Sequence, residues 1–468
     1  MQHGSSVLAD LWKRANGDAA ALALVRLTGS GVVLPSSFAV DDVAQATIAA
    51  AGLAAAEIHR QRCGAVQTVS VDRRHAAAEF RSERYFEITP PAPHLWDKLA
   101  GLYRTRDHRW VRIHTNFVHH RDGVLALLGC ANDRDAVQKA LLAWEAESFE
   151  TAAAERKLVA TMTRTPEEWD AHAQGRAVAS LPLLEIERIG DAPAKPLPRA
   201  KRPLSGVRVL DLTRIIAGPV AGRTLAAHGA DVLNISCAQL PSIPSLVIDT
   251  GRGKRSAALD LDTAEGTAAL RRLLQDTDIF IQGYRPGGLA ARGFSESELA
   301  TARPGIIAVT LSAYGHIGPW ADRRGFDSLA QNANGLNWEE ARAASADGSV
   351  DRPKELPAQA LDHATGYLLA FGAMVALLKR AEQGGSWRVR TSLAQVGHWL
   401  QLLPRVPDGL RAPDQSKTDI VDLMQTTPSG FGPLRAVRHA AQLSETPAHW
   451  ARPSMPLGSH APVWLGAT

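Results

Sequence analysis

Apolar residues in the second half of the chain come in short runs that alternate with longer amphipathic stretches. The run VRVLDL at Val207–Leu212 predicts a buried strand, and ADVLNI at Ala230–Ile235 predicts another. Between them, Pro219–His228 has helical spacing, with proline at the start, where its missing N–H is tolerated. The three segments together predict a β-α-β unit.

The alternation continues toward the C-terminus. The pattern predicts a helix over Thr263–Gln275, a strand over Asp278–Tyr284, a short helix, and a strand over Gly305–Ser312. Ser295 and Glu298 have capping-box spacing at the start of the short helix. Because strands alternate with helices, we expect an α/β fold: a doubly wound parallel sheet, Rossmann-like, with a second, smaller α+β domain elsewhere.

Helical patterns also occur in the first half. Ala44–Arg62 predicts an alanine-rich helix, Trp110–Thr115 a strand, and Arg134–Ala160 a pair of helices. Gly190–Pro203 contains four prolines, which predicts a surface linker between the halves. Beyond it, His363–Arg380 predicts a long apolar helix. The stretch 408–456 is rich in Pro, Ser and Thr, and we expect it to wrap loosely over the surface.

One segment of the chain resembles another. A shift of 320 positions aligns 42–69 with 362–389 without a gap. The identical pairs are Asp42/Asp362, Ala44/Ala364, Gly52/Gly372, Arg60/Arg380, Gly64/Gly384 and Val69/Val389. Two alanine-rich helices can look alike by composition alone. A duplication explains the match better, because the Asp, both glycines and the Arg keep their mutual spacing.

Composition restricts the class of protein. The 468 residues are 45% hydrophobic and 21% charged, which is typical of a globular protein, and the net charge of +4 is too small to indicate nucleic-acid binding. The three cysteines have no paired spacing, so neither a disulfide framework nor a zinc knuckle is indicated. No stretch has the roughly 18 consecutive apolar residues that suggest a membrane span. We therefore expect a soluble, cytoplasmic protein.

Several standard motifs are absent. The first predicted strand-to-helix turn reads Ala217-Gly218-Pro219 rather than G-x-G-x-x-G, which disfavours a dinucleotide cofactor. No Walker loop, G-x-S-x-G elbow or H-E-x-x-H occurs. His114, His119 and His120 match no standard ligand spacing, so they are interpreted as histidines of a solvated loop, and no metal site is predicted.

Five segments of the second half resemble one family. They are GVRVLDLTRIIAGPVAGRTLAAHGADVL (206–233), GKRSAALDLDTAEG (253–266), IQGYRPGGLAARGF (281–294), AVTLSAYGHIGPWADRRGFD (308–327) and PAQALDHATGYLLAFGAMVALLKR (357–380). Their order and spacing are similar to those of the family III CoA-transferases, also called the CaiB/BaiF family. The first half resembles the part of that family that normally follows the catalytic Asp, so the segments occur here in permuted and partly duplicated order.

The resemblance implies a division of the chain into five regions. They are 1–80, an Asp-led helix and the start of the first family-like segment; 81–190, a small-domain-like region; 191–203, the linker; 204–400, a CoA-binding Rossmann-like large domain with the catalytic Asp; and 401–468, a C-terminal wrapping tail.

Asp362 is the catalytic residue that the resemblance implies. In the family, the corresponding carboxylate attacks the acyl-CoA carbonyl to give a mixed anhydride, and an aspartyl-CoA thioester follows. A carboxylate ionised at neutral pH needs only positioning and an oxyanion site for this step. Taken alone, Asp362 is equally consistent with a cap on the helix that begins at His363. Asp42, the duplicate, is expected to be only a cap.

The resemblance also implies a set of residues that contact coenzyme A. They lie in the loop after the strand Val207–Leu212, at the start of the segment 253–266, and within or after the strands predicted over Asp278–Tyr284 and Gly305–Ser312. The residues are Arg214, Ile215, Ala217, Lys254, Arg255, Gly283, Tyr284, Arg285, Arg292, Ser312 and Tyr314. The basic side chains suit the phosphates of the carrier, and such loops bind ligands in open α/β sheets. We expect Lys254 and Arg255 just before a strand, Arg285 just after one, and Ser312 and Tyr314 near the pantetheine.

The leading hypothesis is transfer of CoA from an acyl-CoA to a carboxylic acid. Both substrates are small molecules, and we expect no tightly bound cofactor. We expect neither nucleic acid nor a membrane as a partner. The family also contains racemases that use a His where this chain has Phe326, so racemisation is disfavoured, although His363 offers another imidazole. Isomerisation by CoA transfer between two carboxyls of one molecule fits the same residues and stays open. A catalytically weak CoA-binding or partner subunit is the third possibility. The glycine-rich covering loop common in the family is missing from 80–135. The family's interlaced dimers imply a homodimer.

Overall fold

The computed structural model describes residues 3–285 and 287–466. An N-terminal half ends at residue 190, an irregular segment follows, and a C-terminal half begins with a strand at Arg208. The fold is mixed α/β with a large, mostly parallel sheet and additional smaller units, as the sequence pattern predicts. The five sequence-derived boundaries stay predictions.

The N-terminal half contains mainly helices and short strands. Its helices are α1 (His3–Arg14), α2 (Val40–Cys63), α3 (Arg73–Glu79), α4 (Ser82–Tyr85), α5 (Val118–Leu128), α6 (Arg134–Leu141), α7 (Ala146–Glu155), α8 (Pro166–Ala171) and α9 (Ala173–Ala179). Its strands are β1 (Val25–Thr28), β2 (Val69–Asp72), β3 (Gly101–Arg104), β4 (Trp110–Ile113), β5 (Ala160–Met162) and β6 (Glu185–Gly190).

The C-terminal half alternates strands and helices. Its helices are α10 (Ala217–Ala227), α11 (Pro244–Thr250), α12 (Ala264–Leu274), α13 (Glu296–Ala302), α14 (Asp327–Ala333), α15 (Leu336–Ala344), α16 (Ala360–Gln383) and α17 (Leu393–Leu402). Its strands are β7 (Arg208–Leu212), β8 (Asp231–Ser236), β9 (Lys254–Ala258), β10 (Ile279–Gln282), β11 (Ile307–Ser312), β12 (Ser386–Ser392), β13 (Met424–Thr427), β14 (Leu434–Val437) and β15 (Ala441–Leu443).

The large sheet has the strand order β6-β12-β11-β10-β7-β8-β9. Neighbours from β12 to β9 are parallel, and β6 of the N-terminal half adds an antiparallel edge strand. Successive side chains point to opposite faces, so Val209 and Ile281 join the core that contains α16, while Leu210 and Phe280 join the core that contains α12. Helices on both faces explain why these strands read as continuous apolar runs.

The structure supports the duplication. Helices α2 and α16 each have 24 residues, and each bound of α16 lies 320 positions after that of α2. The same offset separates the last residues of β2 and β12 and the first residues of α3 and α17. In both copies a strand pairs in parallel on one side and antiparallel on the other: β1 and β15 flank β2, as β11 and β6 flank β12.

Two of the repeated glycines have the same packing role. A Cβ on Gly52 would lie 2.9 Å from Cγ1 of Val69, and a Cβ on Gly372 would lie 2.6 Å from Cγ1 of Val389. Each glycine therefore lets its helix approach the following strand closely. The helices α2 and α16 also pack against each other within one apolar core, so the two copies face each other across the middle of the protein.

The smaller unit is an antiparallel sheet in the order β3-β4-β5. Helices α5 to α7 cover it through a separate apolar core that includes Val124, Val137, Leu141 and Phe149. The predicted strand after residue 109 and the predicted pair of helices after residue 133 are both present. This unit contacts the C-terminal half where β5 packs against α14.

The C-terminal tail is more ordered than predicted. Strands β13 and β14 form an antiparallel pair, β15 completes the sheet of β1 and β2, and Ile420 and Leu434 are buried. The prediction of a loose wrap is wrong for this stretch, because its apolar residues fill gaps against α3, α4 and α11 that no other described segment covers.

Helix α16 is long and apolar enough to cross a membrane by length and composition, alone among the helices of the described residues. Of its most apolar window, however, 94% is buried inside the protein. A helix surrounded by protein on all sides is expected to be apolar all round. We interpret α16 as a core helix.

Candidate active site

Asp362 lines a small cavity at the start of α16. It is the third residue of that helix, in the first turn, where the helix dipole favours a negative charge. The start of α10 lies alongside, because a Cβ on Gly366 would be only 2.6 Å from the carbonyl oxygen of Ala217. Glycine at this position therefore brings the amino ends of two helices to one carboxyl group.

The environment of Asp362 disfavours its charged form. The side chain is buried, and burial, together with the nearby charges of Asp327 and Glu83, raises its pKa well above the usual range. The backbone N–H of Ala217 lowers the pKa by a smaller amount. The expectation of an ionised carboxylate at neutral pH did not include these second and third carboxylates, which favour the protonated form of Asp362.

Asp327 is the closest partner of Asp362. Its Oδ2 accepts a hydrogen bond of 2.8 Å from the backbone N–H of Asp362, and its Oδ1 accepts one from the side-chain amide of Gln331. Burial raises the pKa of Asp327 to about 6. Two neighbouring buried carboxyls with raised pKa values are typical of sites that hold and release protons.

Both halves of the chain form the walls of this cavity. Leu95, Trp96, His114 and Asn116 come from the N-terminal half, and the remaining lining residues come from the C-terminal half. The loop that carries Leu95 and Trp96 covers Asp362, so the cover that a glycine-rich loop supplies elsewhere is here an apolar loop. The site is therefore shielded from water by large side chains.

His114 is the residue in this cavity that sequence reasoning missed. Its ring stacks on Phe326 with a centroid distance of 3.9 Å, and burial lowers its pKa to about 3. The interpretation of a solvated histidine loop is wrong for His114 and for His120, because β4 and α5 bury both rings. Within 3–285 and 287–466, no three His, Cys, Asp or Glu side chains are grouped as a metal site.

A larger cavity adjoins the first. Ile215, Ile243 and Leu246 line both, so the two cavities share a wall. Ile215 has a φ of 78°, a left-handed conformation that is strained for a β-branched residue. Such strain is concentrated at functional sites, and here it occurs in the residue between the two cavities.

Three arginines lie near one another beside the larger cavity, which Arg214 lines, and we call them the arginine rim: Arg214, Arg285 and Arg324. Burial and the charges of Arg285 and Arg214 lower the pKa of Arg324, so the three guanidinium groups influence one another. Arg214 donates to the carbonyl oxygen of Pro241, and Arg324 to that of Lys157. Among the described residues, none of the three has a carboxylate partner, which leaves a positive rim available to anionic groups.

Comparison with known proteins assigns this part of the chain. The model of CoA-transferase family III matches residues 204–405. This segment is therefore similar to the CoA-transferases of family III, and we call it the family III segment. It contains the strands of the large sheet from β7 to β12, Asp362 and the arginine rim.

Curated relatives extend the similarity. An acyl-CoA transferase of Gibberella moniliformis is 31% identical over 65% of this chain and 59% of its own length. A succinate–glutarate CoA-transferase of Agrobacterium fabrum is 31% identical over 43% of this chain and 53% of its own. A solved hypothetical protein of Mycobacterium tuberculosis is 30% identical over 43% of this chain and 58% of that one, with a TM-score of 0.39. The chain spans little more than half the length of these relatives.

Two of the predicted CoA contacts in the family III segment already have partners. Nζ of Lys254 donates 2.7 Å hydrogen bonds to Oδ2 of Asp211 and to the carbonyl of Pro219. Arg255 pairs with Asp231 at 3.2 Å. The expectation that they precede a strand is wrong: they are the first residues of β9, at the amino end of the strand, although they still line the larger cavity.

The remaining predicted contacts in the family III segment are dispersed. Tyr284, Arg285 and Ser312 line a third cavity of about 1250 Å³, on the side of the sheet that faces α13. The other three are Gly283 at the end of β10, Arg292, which pairs with Asp262, and Tyr314, which is buried against Trp320. Arg214, Ile215 and Ala217 are thus the predicted contacts nearest to Asp362.

A buried polar network supports the family III segment from the N-terminal half. Arg223, fully buried in α10, pairs with Asp249 at 2.8 Å, and Ser82 donates to the same carboxylate at 2.6 Å. His363 contacts Glu83 through Nε2 at 3.0 Å, so its ring bonds α4 and is not among the lining residues of the Asp362 cavity. The first half of the chain therefore fixes the position of α16.

Proposed function

We propose that this protein transfers CoA from an acyl-CoA to a carboxylic acid, with Asp362 as the nucleophile. An Asp362 oxygen attacks the thioester carbonyl carbon, the C–S bond breaks, and CoA leaves as a thiolate, which gives a mixed anhydride. The thiolate then attacks the Asp362 carbonyl carbon and releases the first acid as a carboxylate. The acceptor acid attacks this aspartyl thioester, and the returning thiolate attacks the acceptor acyl carbon to release the new acyl-CoA.

One observation carries the proposal: Asp362 is buried at the start of α16 beside an apolar-walled cavity that shares the wall of Ile215 with a larger one. An anhydride hydrolyses readily in water, so a covered cavity is what such an intermediate requires. The backbone N–H of Ala217, at the start of α10, faces the same carboxyl group and suits an oxyanion that forms there.

The larger cavity and the arginine rim suit the carrier. Phosphate groups are bound by guanidinium groups without carboxylate partners, which Arg214, Arg285 and Arg324 supply. The apolar side chains of Ile243 and Leu246 line the larger cavity and suit contact with a pantetheine chain. In this proposal, the acyl end of the substrate lies beside Asp362 and the nucleotide end lies toward Arg214.

The test is a trapping experiment. The full chain is incubated with an acyl-CoA, treated with hydroxylamine, and digested for mass spectrometry. The expected product is a hydroxamate on the peptide that contains Asp362. The matched control is Asp362→Asn, which should give no modified peptide, while Asp42→Asn should be trapped as the wild type is.

A protein that binds CoA yet gives no trapped peptide with any acyl-CoA tested would contradict the transferase proposal and favour a CoA-binding or partner subunit. Titration calorimetry with free CoA separates that outcome from a protein that binds nothing. The Arg214→Ala and Arg324→Ala variants should weaken CoA binding, because each removes one cation of the rim.

His114 favours one second candidate, an acyl-CoA racemase or isomerase. An imidazole and a carboxyl group that line one cavity are the two groups that a proton exchange at the α-carbon requires. Exchange of the α-hydrogen of the substrate with deuterated water, without CoA transfer, would support this candidate.

We further propose that the protein is cytoplasmic and forms a homodimer. Sedimentation of the full chain tests the oligomeric state.

A further inference from the structure

The lining of the Asp362 cavity indicates which acyl groups it takes, provided that the proposed transfer function holds. Its walls are mostly apolar side chains: Leu95, Trp96, Ile215, Ile243, Leu246 and Phe326. No Lys or Arg from the described part of the chain is among the lining residues. A charged group placed here would lose its hydration without gaining a counter-ion.

Two cations that the N-terminal half brings near this cavity are already paired. Arg112, on β4, is buried, forms an ion pair with Glu355, and stacks on Trp96 at 6.0 Å. Arg121, on α5, donates to Asp122 at 3.0 Å. Neither guanidinium group is free to bind a second carboxylate of a substrate.

The charges that act on the cavity are negative instead. Asp327 and Glu83 lie close enough to Asp362 to raise its pKa. A carboxylate at the far end of an acyl chain would therefore face carboxyl groups rather than cations, and would lose its hydration without gaining a counter-ion. This arrangement discriminates against dicarboxylic acyl groups.

The unpartnered polar atoms match one carboxyl group. Among the described lining residues, His114 Nδ1 and Ser328 Oγ are buried without a hydrogen-bond partner. The side chain of Asn116, in contrast, is used: its amide donates to the carbonyl of Leu95, and its oxygen accepts from the N–H of Asp97. His114 and Ser328 can thus serve the two oxygens of the single reacting group.

We propose that the cavity is specific for monocarboxylic acids with an uncharged, apolar tail, and that dicarboxylic acids such as succinate are excluded as donor and as acceptor. The apolar walls hold the tail, and His114 and Ser328 hold the reacting carboxyl or thioester group.

Isotope exchange tests this without knowledge of the physiological acceptor. The full chain is incubated with butyryl-CoA and labelled butyrate, and in parallel with succinyl-CoA and labelled succinate. Label enters each CoA ester only through the enzyme intermediate. We expect exchange in the butyrate pair to exceed that in the succinate pair by about 100-fold or more in kcat/KM. Equal or faster succinate exchange would overturn the inference and leave the transferase proposal intact, whereas absence of exchange in both pairs would contradict both.

A charge introduced into the wall sharpens the test. Leu95→Arg places a guanidinium group on the covering loop, and we expect it to raise the succinate-to-butyrate ratio by about 10-fold, because the second carboxylate gains a counter-ion. Leu95→Met is the matched uncharged variant, and the ratio should stay low there. A low ratio in both variants, with unchanged butyrate exchange, would place the acyl tail elsewhere and overturn the inference.

Discussion

Helices α2 and α16 have the same length, the same repeated glycines and an Asp at the third position, yet Asp362 lines a cavity whereas Asp42 is held in an ion pair. Asp42 of α2 forms an ion pair of 2.7 Å with Arg73, and a Cβ on Gly4 of α1 would lie 3.5 Å from its Oδ1. In the second copy, the position of Arg73 is occupied by Leu393. An arginine and a covering helix are therefore enough to convert one copy of a scaffold into a structural element.

The first copy also corrects the expected role of its Asp. Asp42 does not cap α2: the N-cap is Ala39, without a side-chain hydrogen bond. The neighbouring Asp41 instead accepts hydrogen bonds from the N–H groups of Val33 and Leu34, and burial raises its pKa to about 6. Asp41 therefore holds the incoming chain against α2, and Asp42 holds the start of α3.

The largest expected difference between the copies is in activity. Asp362→Asn should lower the transfer rate by about 1000-fold or more, because it removes the proposed nucleophile, whereas Asp42→Asn should retain most of it. Steady-state kinetics on the two purified variants measures this, with circular dichroism to show that both are folded. Similar losses in both would mean that the copies share a catalytic role.

The repeated arginines should differ in stability. Arg380 is buried and pairs with Asp278 at 3.0 Å, whereas Arg60 is half exposed and pairs with Glu57. Removal of one partner of a buried pair costs about 3–5 kcal/mol, and loss of an exposed pair costs about 1 kcal/mol or less. Urea denaturation of Arg380→Met and Arg60→Met compares the two free energies of unfolding. Equal losses would show that burial does not distinguish them.

A smaller effect is expected where Gly366 of the second copy corresponds to Ala46 of the first. In Gly366→Ala the new Cβ would meet the carbonyl oxygen of Ala217 at 2.6 Å and Cβ of Val220 at 2.7 Å, so we expect a loss of about 1–3 kcal/mol together with reduced transfer, because the start of α10 must move. Ala46→Gly should cost about 1 kcal/mol and leave transfer unchanged. Thermal unfolding and kinetics on both variants measure this, and an unaltered Gly366→Ala protein would contradict the proposed close approach.

The smallest expected effect is a shift in pH dependence. Asp362 must be ionised to attack, and its pKa is raised, so the rate of acylation should increase with pH. Asp327→Asn removes one neighbouring charge, which lowers the pKa of Asp362 and should move this increase to lower pH. Asp327 itself binds its proton more tightly in the folded state, so its contribution to stability is complete below 3.8 and is lost as the pH rises through about 6. Single-turnover rates against pH measure the first effect, and an unshifted profile would exclude coupling between the two groups.

Much of the large domain could be predicted from the sequence, because its strands are short apolar runs between turn residues. The predicted capping box at Ser295 and Glu298 is present, and the predicted alternation of strands and helices is confirmed. The ends of helices differed from the prediction by a few residues. Helix α16, for example, begins at Ala360, three residues before the predicted His363. The repeat was detectable because its glycines contact the following strands.

The candidate site was only partly predictable, because its walls come from segments far apart in sequence. Asp362 and Arg214 were recognisable from motifs, and their catalytic and binding roles stay predictions. His114 follows β4, and no local pattern indicates that the loop with Trp96 buries it opposite Asp362. Arg324 stands beside Arg323 in a quoted motif, but only the fold separates the two: Arg323 packs on Trp320 at 4.0 Å, and Arg324 joins the rim.

The position of β15 has a consequence for biosynthesis. Ala441 pairs with Val71, so the middle strand of the first small sheet gains its second neighbour only after the ribosome has added 370 further residues (441 − 71). Until then one edge of β2 offers unpaired N–H and C=O groups, which other chains can bind. Closure of contacts between distant parts of a chain is slow, and long nascent chains with open edges are the ones that aggregate or require chaperones. The N-terminal half is therefore synthesised before the C-terminal half, but its small sheet is complete only when β15 pairs with β2.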